Sequence, residues 1–95
     1  MLRRRLLVTY DIRDQRRLRA VHRTMKSYGD PLQYSVFICD LSDIERIRMT
    51  DALSAQMNLA ADSVAIINLG NTDLSRFEFL GTRLLDPPAG GATVV

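Results

Sequence analysis

The chain is predicted to adopt an α+β sandwich, and three observations carry that expectation. Strand-like runs alternate with helical periodicities in the order βαβ(β)αβ, with short strand-like runs at the end. The connections between them are short. The runs at 6–10 and 63–69 are apolar on both faces, as expected of strands buried inside a layered structure. This combination fits a split βαβ, ferredoxin-like βαββαβ sandwich with an extra C-terminal strand. Two helices cover one sheet face, and in a chain of 95 residues the simplest cover for the other is a second copy. A homodimer packed through the sheet faces is therefore expected.

The elements follow in order. Residues 4–10, RRLLVTY, read as a strand with Leu6, Val8 and Tyr10 on one face and Leu7 and Thr9 on the other. Asp14 is placed to cap a helix running to about Tyr28, with Gly29 as its stop. Leu18, Val21, Met25 and Tyr28 form its core stripe. GDP at 29–31 reads as a turn. Residues 32–41, LQYSVFICDL, read as one long strand or two short ones joined at a kink. Ser42 and Glu45 form a capping box for a second helix to about Met57, with Met49, Leu53 and Met57 aligned and Ile44 and Ile47 off that stripe. SVAIINL at 63–69 and RFEFLG at 76–81 read as strands. One domain, 1–82, is expected, followed by a tail, 83–95, whose ATVV is a last short strand.

Composition narrows the function. With 46% hydrophobic residues the chain is globular, and its single cysteine excludes an internal disulfide or thiolate cluster. No apolar run approaches membrane length, and the short basic start is not read as a signal peptide, so a cytoplasmic protein without membrane partners is expected. The net charge of +2 conceals an asymmetry: residues 1–26 are +7 and the remainder −5. Separation of this kind points to an anionic partner, nucleic acid first among them.

Arg16, Arg19, Arg23 and Lys26 repeat at helical spacing opposite the apolar stripe. A solvated helix face is the commoner reading of such a run. However, no acid interleaves between 15 and 29, and an unrelieved basic stripe is better explained by phosphate contacts. Arg17 lies nearer the apolar stripe, within reach of a carboxylate or a bound phosphate. Asp11 ends the first strand. Asp serves routinely in turns and caps, but Asp14 is the better cap, which leaves Asp11 less explained. Mg²⁺ takes one or two carboxylates and otherwise keeps waters and phosphate oxygens, and a two-fold dimer supplies a second Asp11. Such a site could activate water against a phosphodiester. His22 lacks a second metal-binding partner, and Cys39 reads as a small buried hydrophobe. There is no GxxxxGK loop and no RNP1 motif.

VTYDIRD with Arg17, KSYG at 26–29, QYSVFICDL at 33–41, DSVAIINLG at 62–70 and FEFLG at 77–81 together resemble the CRISPR-associated adaptation protein Cas-two family, in order over roughly residues 6–81. The resemblance implies a ferredoxin-like homodimer with Asp11 at its interface. It implies that Asp11 binds Mg²⁺, or Mn²⁺ in its place, with its partner's counterpart, and that the final strand pairs across the dimer. It further implies metal-dependent cleavage of single-stranded RNA or double-stranded DNA in some members. A second implied role is a bridge between two dimers of the Cas-one integrase during spacer acquisition, with duplex DNA on the basic surface. The sequence departs from the family at Ile38, where members often carry an acid after SVF, and whatever that acid contributes is missing here. A catalytically inactive DNA-holding adaptor, or a related RNase toxin, is the alternative reading.

Overall fold

The computed structural model describes residues 2–81 together with the backbone of Thr93–Val94. Its frame is a four-stranded antiparallel sheet in the order β2-β3-β1-β4. These strands are β1 (Arg3–Asp11), β2 (Gly29–Gln33), β3 (Val36–Ser42) and β4 (Ser63–Asn68). β1 is central, pairing Val8 with Phe37 on one side and with Ile66 on the other. That position explains why β1 is apolar on both faces. Helices α1 (Gln15–Lys26) and α2 (Asp43–Gln56) cover one face. Leu6, Val8 and Tyr10 of β1 and Phe37 and Cys39 of β3 form a core there with Val21, Met25, Met49 and Leu53 of the helices. Leu18, Tyr28 and Met57 pack against its rim, so both predicted helix stripes are core, while Ile44 and Ile47 are about half exposed. The α+β, ferredoxin-like expectation is met.

Both helix starts follow their sequence signals. The Asp14 carboxylate accepts from the Arg17 N–H at 3.0 Å, and the Ser42–Glu45 capping box is complete in both directions. The segment 32–41 resolves into two strands broken at Tyr34–Ser35, and the first of them begins at Gly29 rather than after the expected GDP turn. Gly29 is therefore not a left-handed helix stop, because α1 ends at Lys26 with Ser27 in a right-handed cap. Its role is close approach between strands. A Cβ at 29 would collide with the Ile38 carbonyl oxygen and lie 2.6 Å from Cys39 Sγ.

RFEFLG is not a continuous strand. A 3-10 turn, Leu74–Arg76, precedes a two-residue strand β5 (Glu78–Phe79), because Asp73 caps the turn through Ser75 N–H. Of the tail expected over 83–95, only Thr93–Val94 (β6) lie among the described residues, where they pair in parallel with β5 of the same chain. The segment 69–79 also folds back over the second sheet face. Leu74 buries against Leu32 and Ile38, with Leu69, Phe77 and Phe79 around them. This chain thus covers part of the face that the sequence reading left to a second copy. The β4 side stays open, with Ile67 41% exposed.

Candidate nucleic-acid interface

The end of β1 and the start of α1 meet at one corner of the sheet. Asp11 is the last residue of β1, paired with Ser63, and its side chain is 64% exposed. One of its oxygens lies 3.4 Å from the Arg13 guanidinium. No group of three or more His, Cys, Asp or Glu residues able to hold a metal occurs among the described residues. A single exposed carboxylate suits Mg²⁺, which retains water and takes phosphate oxygens, and does not suit an all-protein metal cage. The donor set of one chain therefore fits the ion only as one ligand of several.

Arg16, Arg19, Arg23 and Lys26 all lie exposed along α1, as their spacing predicts. None of the four forms an ion pair with a carboxylate among the described residues. Arg17 is set apart. Its Nε and Nη2 donate to the two oxygens of Asp62 at 2.8 and 3.1 Å. The carboxylate that Arg17 reaches is thus Asp62, not Asp11. Arg17 is expected from sequence to contact nucleic acid, but the Asp62 pair gives its guanidinium a structural use within the chain.

The Asp62 side chain is fully buried, and all four of its lone-pair directions are used. Besides Arg17, it accepts from the backbone N–H of Arg13 at 2.8 Å and of Asn58 at 2.9 Å. The Arg17 bond, then these backbone donors, hold its carboxyl well below the usual range despite burial. Asp62 thereby ties the loop after α2 to the turn carrying Asp11 and Arg13. Sequence reasoning missed it. A single acid before an apolar strand, 45 residues from its partner, carries no local signal.

A second feature joins β1, α1 and the β2–β3 turn. The buried Tyr10 hydroxyl bonds His22 Nδ1 at 2.8 Å and donates to the Tyr34 carbonyl at 3.4 Å. Burial pushes the Tyr10 phenol up to about 12, and burial, then Lys26, lowers the His22 pKa. Both shifts favour the neutral form of the two groups. His22 stacks on Tyr34 with ring centroids 5.9 Å apart and meets Phe37 edge-on at 5.5 Å. Cys39 is buried and its thiol is pushed up to about 12 by burial and Asp30, so it is an unreactive core residue.

Residues 4–77 match the family model described as CRISPR associated protein Cas2. The chain is 47% identical over 64 residues to a CRISPR-associated endoribonuclease Cas2 of Geobacter sulfurreducens, covering 67% of each chain. It is 40% identical over 80 residues to another so named from Thermodesulfovibrio yellowstonii, covering 84% of this chain and 88% of that one. The fold is similar to the crystal structure of Streptococcus pyogenes Cas2 at pH 6.5, with TM-score 0.74, 32% identity, and coverage of 81% of this chain and 99% of that one. A hypothetical protein of Thermus thermophilus superposes with TM-score 0.76 at 29% identity, covering 87% and 96% of the two chains. With the family model spanning most of the chain and the same sheet-and-helix frame in the solved structures, this protein belongs to the CRISPR-associated Cas2 family.

Proposed function

We propose that this protein is a CRISPR-system endonuclease that binds nucleic acid along α1 and hydrolyses phosphodiesters at Asp11, as a homodimer joined through its sheet faces. The observation that supports this most is the row of Arg16, Arg19, Arg23 and Lys26, without ion-pair partners among the described residues, which begins in the first turn of α1, the helix that follows the exposed Asp11 carboxylate at the end of β1. The row holds backbone phosphates by charge, with no sequence preference. The Asp62 anchor sets the path of the chain from Asp11 into α1. Asp11 orients a water toward phosphorus and accepts a hydrogen bond from it. As the water's proton passes to Asp11, its oxygen bonds to phosphorus, the P–O bond to the leaving sugar oxygen breaks, and that oxygen takes a proton from solvent. A bound Mg²⁺, with Mn²⁺ as a substitute, supplies the Lewis acidity that makes this water a nucleophile near neutral pH. The partner's Asp11 completes the carboxylate pair across the two-fold axis.

A second reading has its own support. Ile38, 4% exposed under Leu74, stands where family members often place an acid, and Asp11 is one carboxylate per chain. A protein built this way works equally well as a DNA-holding bridge between Cas-one integrase dimers, in the cytoplasm, during spacer acquisition. The two readings separate in one experiment. Wild type and Asp11→Ala are incubated with labelled single-stranded RNA and duplex DNA, with Mg²⁺ or EDTA. Cleavage that needs both Asp11 and Mg²⁺ establishes the nuclease. Duplex binding by both dimers without cleavage leaves the adaptor.

A further inference from the structure

The β2–β3 turn exposes a large aromatic side chain beside the basic helix. Tyr34 is 68% exposed, so its ring is open to solvent beside the helix. Its ring is held from behind. His22 stacks on it with planes 20° apart, and His22 is itself fixed by the Tyr10 hydroxyl and by the edge contact with Phe37. A surface ring so braced is a rigid platform with one face toward solvent.

Tyr34 forms one wall of a groove of about 420 Å³, lined further by Leu18, His22, Arg19, Arg23 and Lys26. No carboxylate lines it. The size falls within the usual range for small-ligand sites. Three cations facing one apolar, aromatic wall match a ligand with a flat ring at one end and negative charge at the other. The rise from Arg19 to Lys26 is roughly 10 Å along the helix, enough to follow consecutive phosphates of one extended strand. In a duplex both faces of each base are already stacked, so a base that lies on Tyr34 must be unpaired.

We propose that the groove between α1 and the β2–β3 turn is a subsite for an unpaired nucleotide of a single-stranded nucleic acid. Its base stacks on Tyr34, and its flanking phosphates lie against Arg19, Arg23 and Lys26. This rests on the nucleic-acid reading given above and adds to it the residues that would hold an unpaired nucleotide. The turn sits at the same end of the sheet as Asp11, since Tyr10 N–H donates to the Ser35 carbonyl at 3.1 Å. A strand seated on Tyr34 is therefore led toward the end of β1.

The test uses the intact protein in EDTA, where cleavage plays no part. Binding of a fluorescein-labelled oligothymidylate and of a labelled duplex is followed by anisotropy for wild type, Tyr34→Leu and Tyr34→Trp. Tyr34→Leu is expected to weaken single-strand binding roughly 10-fold and leave duplex binding unchanged. The chain has no tryptophan, so Tyr34→Trp introduces a single reporter. Its emission is expected to be quenched by the oligothymidylate and not by an abasic strand of equal length. Wild-type single-strand affinity in Tyr34→Leu, or equal quenching by the abasic strand, overturns the subsite while leaving duplex binding and Asp11 chemistry standing. Failure of wild type to bind either probe overturns the nucleic-acid reading, and the subsite with it.

Discussion

Asp62 holds Arg17, Arg13 and Asn58 with one buried carboxylate, so its replacement removes several bonds at once. Asp62→Asn is expected to lower Tm by several degrees, because the amide cannot accept from all four donors and its NH₂ faces Arg17. The pH dependence has a definite sign. The folded pKa lies below the ordinary 3.8, so the stability from this group is full above that value and is lost as pH falls through the folded pKa. The gap between wild type and Asp62→Asn in urea midpoints should be widest near about pH 6 and narrow in acid. His22 has the same sense for a different reason. Burial holds its folded pKa below 6.5, so its contribution is full above that value and declines as pH drops below it. It is the only histidine, so one resonance in an NMR titration reads its pKa directly. A midpoint at or above 6.5 would show that burial does not keep the ring neutral.

At the scale of elements, α2 begins on the Ser42–Glu45 box. Ser42→Ala should cost about 1 kcal/mol, seen as roughly 4–8 °C in Tm. Gly29→Ala should destabilise as well, since the new methyl group meets the β3 backbone at Ile38, which cannot swing aside. On α1 the expected effects are on binding and not on folding. Arg19→Ala and Arg23→Ala should each reduce the slope of log K against log salt by about one for duplex DNA, with little change in Tm. An unchanged slope would mean that the row faces only water.

At the scale of the molecule, part of the second sheet face stays uncovered, and the proposed dimer is tested there. The 69–79 segment seals Leu32 and Ile38 but leaves Ile67 on β4, paired with Leu7 of β1, accessible. If dimers form through this face, Ile67→Glu should yield monomers in sedimentation while keeping the far-UV spectrum. Asp11-dependent cleavage should then fall with dimer content, because each monomer brings one carboxylate. A dimer that survives Ile67→Glu places the interface elsewhere.

The strand–helix order, the central place of β1, both helix caps and the basic row of α1 are legible in the residues alone. Each of these is written in local spacing: a period of two in strands, about 3.6 in helices, and a capping residue at a fixed offset. The sequence also carried the family resemblance, through motifs that stay in order along the chain. Features that depend on contacts between distant residues emerge only in the folded chain. Tertiary packing assigned Arg17 to Asp62, because a buried carboxylate must be satisfied by whatever donors the fold brings near. It turned Gly29 from a helix stop into a strand residue, because the need for glycine there comes from the closeness of β3 and not from a left-handed backbone. It folded 69–79 over part of a sheet face that the two-sided apolar strands and the count of two helices had left to a second copy. And it placed Tyr34 against His22 beside the basic row, a juxtaposition that no periodicity encodes, since side chains from three elements meet there only once the sheet has formed.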